Sequence, residues 1–234
     1  MAWSSIHPRL GVCLPVRNKV SIEWAITFAR VCARIGVPFR FYVQKHFRLD
    51  VARNKLVKMA LKDGCERILF WDTDILPCGF DPNRKKFYYR PDAVYVLWQH
   101  QYVIVSGCYW TKRNVPALYE LVDPNDPRPF KVVMRKLEDI AHRIIYVDAV
   151  GLGFCLIDRE VFEGLDYPYF EYRVEYDFDA DEEREISEDL LFFLKVKEAF
   201  PHLKVLVDGG IICKHEAEVH LTWDGKCEWV VLED

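Results

Sequence analysis

The sequence predicts an α/β fold with a mainly parallel central sheet flanked by helices. Three observations predict it. Strand-length apolar runs stand at Leu10–Val16, Phe39–Val43 and Arg67–Trp71. Helical stripes of apolar residues fill the two intervals between them. The resulting β-α-β-α-β order, with strands apolar on both faces, is what a sheet covered on both sides by helices requires.

The elements follow in turn. Leu10-Gly11-Val12-Cys13-Leu14-Pro15-Val16 reads as a buried first strand. Ser21 can cap the next helix, whose stripe is Trp24, Phe28, Val31 and Ile35, and Gly36 stops it with Pro38 just beyond. After the second strand, Asp50 reads as a cap, Ala52, Leu56, Met59 and Ala60 as a stripe, and Gly64 as a stop. The third strand, Arg67–Trp71, runs into Asp72-Thr73-Asp74.

The second half is more mixed. A strand is expected over Tyr102–Tyr109, a loop over Pro116–Pro129, a helix over Val132–His142, and strands on both sides of Gly151-Leu152-Gly153. A short helix follows over Asp158–Gly164. The acidic, aromatic stretch Glu171–Glu185 reads as an exposed, mobile loop able to close over a ligand. Ser187 caps a helix that packs Leu190, Leu191, Leu194 and Ala199. Leu203–Val207 is a strand ended by a turn at Asp208-Gly209-Gly210, and Val219–Leu232 is a hairpin around Asp224-Gly225. A small second sheet is expected beside the main one. No linker or internal repeat divides the chain, so residues 1–234 are expected to form one domain. Its halves divide at about residue 110.

Composition narrows the function. Hydrophobic residues at 51% and charged residues at 29% suit a globular core. Aromatics at 15% exceed what the core alone asks for and suit a sugar site, where flat apolar faces pack on sugar rings. A net charge of −4 speaks against a nucleic-acid binder, although Asn83-Arg84-Lys85-Lys86 makes a local basic patch. No apolar run is long enough to span a bilayer, and Met1-Ala2-Trp3-Ser4-Ser5 does not read as a secretion signal. A cytoplasmic protein is expected, with any membrane association peripheral. None of the 8 cysteines forms a C-x-x-C pair, so they read as small buried hydrophobes rather than a zinc site.

Asp72-Thr73-Asp74 is the strongest single motif. Two carboxylates one residue apart, just past a buried strand, can both reach a hard divalent cation in a cleft. Such a cation neutralises the charge that develops on a diphosphate leaving group. A solvated Asx-turn explains the same residues, and the motif alone leaves both readings open. Glu188-Asp189 after Ser187 complements a helix N-terminus on its own account. Gly151-Leu152-Gly153 either lets backbone approach a ligand or makes a tight turn. It lacks the setting of a dinucleotide site. No phosphate-binding G-x-x-x-x-G-K-[ST] loop and no G-x-S-x-G elbow is present.

Taken in order, Arg53-Asn54, Asp72-Thr73-Asp74-Ile75, Gly151-Leu152-Gly153-Phe154, Ser187-Glu188-Asp189 and His215 resemble the GT-A glycosyltransferases, in particular small family-2-like enzymes. The resemblance runs from about Leu10 to His215. It implies a GT-A fold and transfer of a sugar, a hexose in the first instance, from a UDP- or GDP-sugar to a hydroxyl of a carbohydrate, glycolipid or glycoprotein. It implies Asp74 and His215 as metal ligands, with Asp72 on the metal's water shell or the ribose. Imidazole beside carboxylate favours Mn²⁺ over Mg²⁺. It further implies Pro15, Val16 and Arg17 around base and ribose, Arg53 near the diphosphate or sugar, and Gly151 and Gly153 near the donor sugar. Asp189 would be the general base of an inverting reaction, with Glu188 and Trp110 on the acceptor side. Each residue also has a plainer reading: Arg53 as a surface helix charge, His215 as a surface histidine, Trp110 as core. A metal-dependent nucleotidyltransferase or diphosphate hydrolase uses the same paired aspartates. A non-catalytic sugar-binding module is the third reading.

Overall fold

The computed structural model describes residues 9–16, 20–45, 48–111, 115–124, 126, 129–177, 182–216, 219–221 and 227–229. For 175–177, 182–184, 219–221 and 227–229 the description is of the backbone alone.

The first half forms as its pattern dictates. Strand β1 (Leu10–Val16) leads to helix α1 (Ile22–Cys32). Ser21 Oγ caps α1 by accepting the Trp24 N–H at 2.8 Å. Gly36 leaves the helix end at φ +73°, where a side chain would be strained. Strand β2 (Phe39–Lys45), helix α2 (Leu49–Lys62) and strand β3 (Arg67–Trp71) follow. Asp50 is not the cap of α2. Arg48 holds that position, and Asp50 sits inside the first turn, its carboxylate paired to the Arg48 guanidinium at 2.5 Å.

The next stretch carries elements that no sequence pattern announced. These are β4 (Ile75–Asp81), β5 (Lys86–Tyr89) and α3 (Ala93–Gln99), before β6 (Ile104–Tyr109). The expected loop over 116–129 contains β7 (Leu118–Leu121). The expected helix over 132–142 is instead the end of β8 (Phe130–Val132) and a single turn, α4 (Leu137–Ile140). Strands β9 (Ile144–Val147), β10 (Ala149–Val150) and β11 (Phe154–Asp158) and helix α5 (Arg159–Glu163) follow. The strands beside Gly151–Gly153 belong to different sheets: β10 pairs with β7, and β11 with β3 and β6.

The acidic stretch is a hairpin rather than a loop. Strands β12 (Arg173–Asp177) and β13 (Glu182–Ile186) pair antiparallel, with the backbone of residue 175 in register with that of residue 184. Helix α6 (Glu188–Ala199) comes next. Strand β14 (Val205–His215) runs straight through Asp208-Gly209-Gly210, which form a bulge rather than a turn. Strands β15 (Val219–Leu221) and β16 (Cys227–Trp229) pair antiparallel, and the expected turn at Asp224-Gly225 lies outside the described residues.

Among the described residues the main sheet has nine strands, in the order β2-β1-β3-β11-β6-β14-β4-β5, with β9 also on β14. Strands β1, β2, β3, β5, β6 and β14 point one way and β4, β9 and β11 the other. A small sheet, β10-β7-β8, stands beside it. Alternate residues feed opposite faces, as a pleated strand requires. Leu69 and Trp71 pack with Trp24, Val31 and Leu97 from α1 and α3, whereas Ile68 and Phe70 pack with Leu56, Phe162 and Phe192 from α2, α5 and α6.

A buried ion pair fixes the second half. Asp148 lies 2.5 Å from Lys197 of α6 and 2.7 Å from Lys204, and accepts the Leu121 N–H of β7 at 3.2 Å. Burial works against the Asp148 charge, but the two lysines outweigh it and hold its carboxyl below the usual range. The described cysteines are all unbridged, and Cys13, Cys65, Cys78, Cys108, Cys155 and Cys213 are buried. Among the described residues no helix is long and apolar enough to cross a membrane.

Candidate functional site

Strand direction gathers the site. The carboxyl ends of β1, β3, β6 and β14 and the amino ends of β4 and β11 meet at one end of the sheet. Val16, Asp72–Asp74, Tyr109–Trp110, Gly153 and His215 therefore lie side by side. Ligands of open α/β sheets bind at such ends.

The Asp72-Thr73-Asp74 turn is held by its backbone. The Asp72 N–H donates to Gly153 O at 2.9 Å and the Glu216 N–H donates to Asp74 O at 2.8 Å. The Trp24 indole donates to Asp72 O at 3.2 Å, and Trp71 Nε1 donates across the turn to Ile75 O at 2.8 Å. The carboxylates are left to the chemistry, and they go separate ways.

Asp74 meets His215. The imidazole Nε2 stands 3.0 Å from Asp74 Oδ2, and Nδ1 faces the Trp110 carbonyl at 3.3 Å. The carbonyl and the ionised carboxylate both only accept, so a neutral ring donates to one of them and turns a lone pair toward the other, while a protonated ring donates to both. Two ligands at right angles on a cation with bonds of about 2.1 Å lie roughly 3.0 Å apart. The donor atoms fit a divalent ion. Among the described residues no group of three or more His, Cys, Asp or Glu side chains that could hold a metal ion converges on one point.

Asp72 turns the other way. Both its oxygens accept from Arg53 Nη2, at 3.1 and 3.0 Å, while Arg53 Nη1 donates to Glu188 Oε1 at 2.6 Å. Arg53 is 2% exposed, so it is no surface helix charge, and its Nε has no hydrogen-bond partner among the described residues. Burial opposes the guanidinium charge, but Asp72 and Glu188 overcome it and raise the Arg53 pKa. Burial pushes Asp72 up to about 6 and raises Glu188 too. Asp74 adds to the first and Asp189 to the second, and Arg53 opposes both.

Asp189 sits one residue into α6. It accepts from Ser187 Oγ and, at 2.8 Å, from the Leu190 N–H. Ser187 holds the N-cap position but spends its hydroxyl on Asp189. Asp189 belongs to the Arg53 cluster and is an electrostatic neighbour of Arg53, Tyr109, Tyr119 and Tyr172. Burial first, then Asp189, raises Tyr119 to about 12 and Tyr109 well above the ordinary phenol. Tyr172 hydrogen-bonds Glu188.

The sequence-predicted residues thus fall into two adjoining groups, Asp74–His215 and Arg53–Asp72–Glu188–Asp189. Pro15 and Val16 end β1 at the same end of the sheet, and Arg17 lies outside the described residues. The Trp110 ring is half-buried against the core, and its carbonyl orients His215. The tyrosines went unseen in the sequence. For Tyr109 a signal existed, since it closes a buried strand at the same end as Asp72.

No protein-family model and no curated protein sequence matches the chain. Solved structures do. A197 from STIV aligns over 94% of this chain and 93% of its own, with a TM-score of 0.58 at 18% identity. GalNAc-T7, solved with UDP, GalNAc and Mn²⁺, aligns over 88% of this chain with a TM-score of 0.53 at 12% identity. The fold is GT-A-like. This chain spans only 42% of the GalNAc-T7 chain. A glycosyltransferase involved in the glycosylation of the major capsid of PBCV-1 aligns over 85% of this chain, at 13% identity and a TM-score of 0.33.

Proposed function

We propose that the chain is a divalent-metal-dependent glycosyltransferase that moves a sugar from a nucleotide-sugar to an acceptor hydroxyl. The observation that carries this reading is the 3.0 Å approach of His215 Nε2 to Asp74 Oδ2 at the ligand-binding end of a GT-A-like sheet. GalNAc-T7, of similar fold, was solved with UDP, GalNAc and Mn²⁺, which supports the same class of donor and ion here.

Asp74 and His215 hold the cation, with its remaining positions left to water and donor oxygens. The ion's chemistry is to neutralise the leaving diphosphate. Pro15 and Val16 line the nucleoside side. Arg53 is engaged by two carboxylates, so its work is to hold Asp72 and Glu188 in place rather than to bind phosphate. Asp189 takes the proton of the acceptor hydroxyl as that oxygen attacks the anomeric carbon, which inverts the configuration. Trp110 and Glu188 flank the acceptor.

The test is incubation with Mn²⁺ and a panel of UDP- and GDP-sugars, with and without chelator. Metal-dependent release of nucleoside diphosphate is expected. Release of nucleoside monophosphate or pyrophosphate would replace this reading with a nucleotidyltransferase or diphosphate hydrolase.

A further inference from the structure

The Gly151-Leu152-Gly153 turn is shaped around a side chain. A Cβ at Gly151 would stand 1.9 Å from the Tyr109 hydroxyl oxygen, and one at Gly153 would stand 3.2 Å from Tyr109 Cε1. Gly151 leaves room for the phenol that closes β6, whereas a Cβ at Gly153 would first meet Ile75 Cγ1, at 2.9 Å. On its other side the Tyr109 ring meets the His215 imidazole edge-on, with centroids 6.0 Å apart. Asp189, Asp72 and Arg53 are its electrostatic neighbours. Tyr109 thus packs on His215 and has Asp189, Asp72 and Arg53 as electrostatic neighbours, at the seam between the two groups.

We propose that the Tyr109 hydroxyl orients the transferred sugar, and that Gly151 serves the site by seating this phenol. The inference rests on the transferase reading, which places the leaving group beside Asp74 and His215 and the attacking oxygen beside Asp189. The sugar must bridge the two, and a phenol at the seam offers both a hydroxyl to hydrogen-bond and an apolar ring to pack on it.

Affinity separates this role from a structural one. With Mn²⁺ present, wild-type protein is expected to bind UDP-sugar (UDP-glucose or UDP-N-acetylgalactosamine) more tightly than UDP. Tyr109→Phe, which removes one oxygen, should leave UDP affinity unchanged and weaken the UDP-sugar by about three- to tenfold, the range of one hydrogen bond. Donor hydrolysis should fall with it, in kcat more than in KM. Gly151→Ala is the second variant. Its methyl expels the hydroxyl from its seat, and the obstacle is the far end of a side chain, so the phenol can swing away without unfolding. It should reproduce the Tyr109→Phe pattern. Equal loss of UDP and UDP-sugar affinity, or wild-type behaviour by Tyr109→Phe, overturns the inference while the transferase reading stands. A wild-type protein that binds no nucleoside diphosphate and hydrolyses no nucleotide-sugar overturns both.

Discussion

His215 and Asp74, 141 residues apart in the chain, face each other across 3.0 Å with the histidine's other nitrogen turned to a backbone carbonyl. The Asp74 side chain is 48% exposed, so the pair opens to solvent and contributes little to the fold.

Replacing either partner should therefore separate binding from stability. Asp74→Ala and His215→Ala are each expected to weaken Mn²⁺-dependent nucleoside diphosphate binding at least tenfold in calorimetry. Unfolding free energy should change by under about 1 kcal/mol. A large loss of stability with unchanged binding would assign the pair to the scaffold.

Arg53 behaves in the opposite way. Arg53→Met leaves Asp72 and Glu188 uncompensated, and removing one partner of a buried pair costs about 3–5 kcal/mol. Thermal melts should show a markedly lower Tm. Adding Glu188→Gln to Arg53→Met should recover part of the loss, because one of the stranded charges is gone.

Asp189→Asn keeps the shape of α6 and its first turn. It is expected to bind nucleotide with Mn²⁺ as wild type does and to lose transfer by two orders of magnitude or more, the usual worth of a general base. Normal turnover by this variant would remove Asp189 from the base role.

Stability at low pH is set in part by Asp148. Its folded pKa lies below the unfolded value, so its contribution is complete above about pH 3.9 and is lost as pH falls through the depressed folded value. Asp148→Asn strands the buried Lys197, 7% exposed, and should destabilise the protein by about 3–5 kcal/mol at pH 7. The wild-type advantage over this variant should shrink in denaturant titrations below pH 4.

The stretch up to Trp71 was legible in the sequence because each signal there is local. Ser21 caps α1 through its own neighbour Trp24, and Ile68–Trp71 is apolar whichever strands flank it. The misread elements depend on partners distant in the chain. Asp208-Gly209-Gly210 looks like a turn, yet β6 and β9 pair with the strand around it and carry it onward. Glu171–Glu185 looks like a solvated loop until β12 and β13 are set in register. The site follows the same rule. The motifs singled out Asp74, His215, Glu188 and Asp189 as candidates, but only the fold reveals that Arg53 divides them by pairing with Asp72.

That division has an electrostatic consequence. Asp72, Glu188 and Asp189 gather around the engaged Arg53 guanidinium and Asp74 neighbours Asp72, so among the described residues these side chains give the mouth an excess of carboxylates that repels anions. Under the transferase reading, a bare diphosphate ester would be turned away by the protein that uses it. Order of addition then follows from charge alone: cation first, or cation and nucleotide as one complex, with product escape slowed until both depart together.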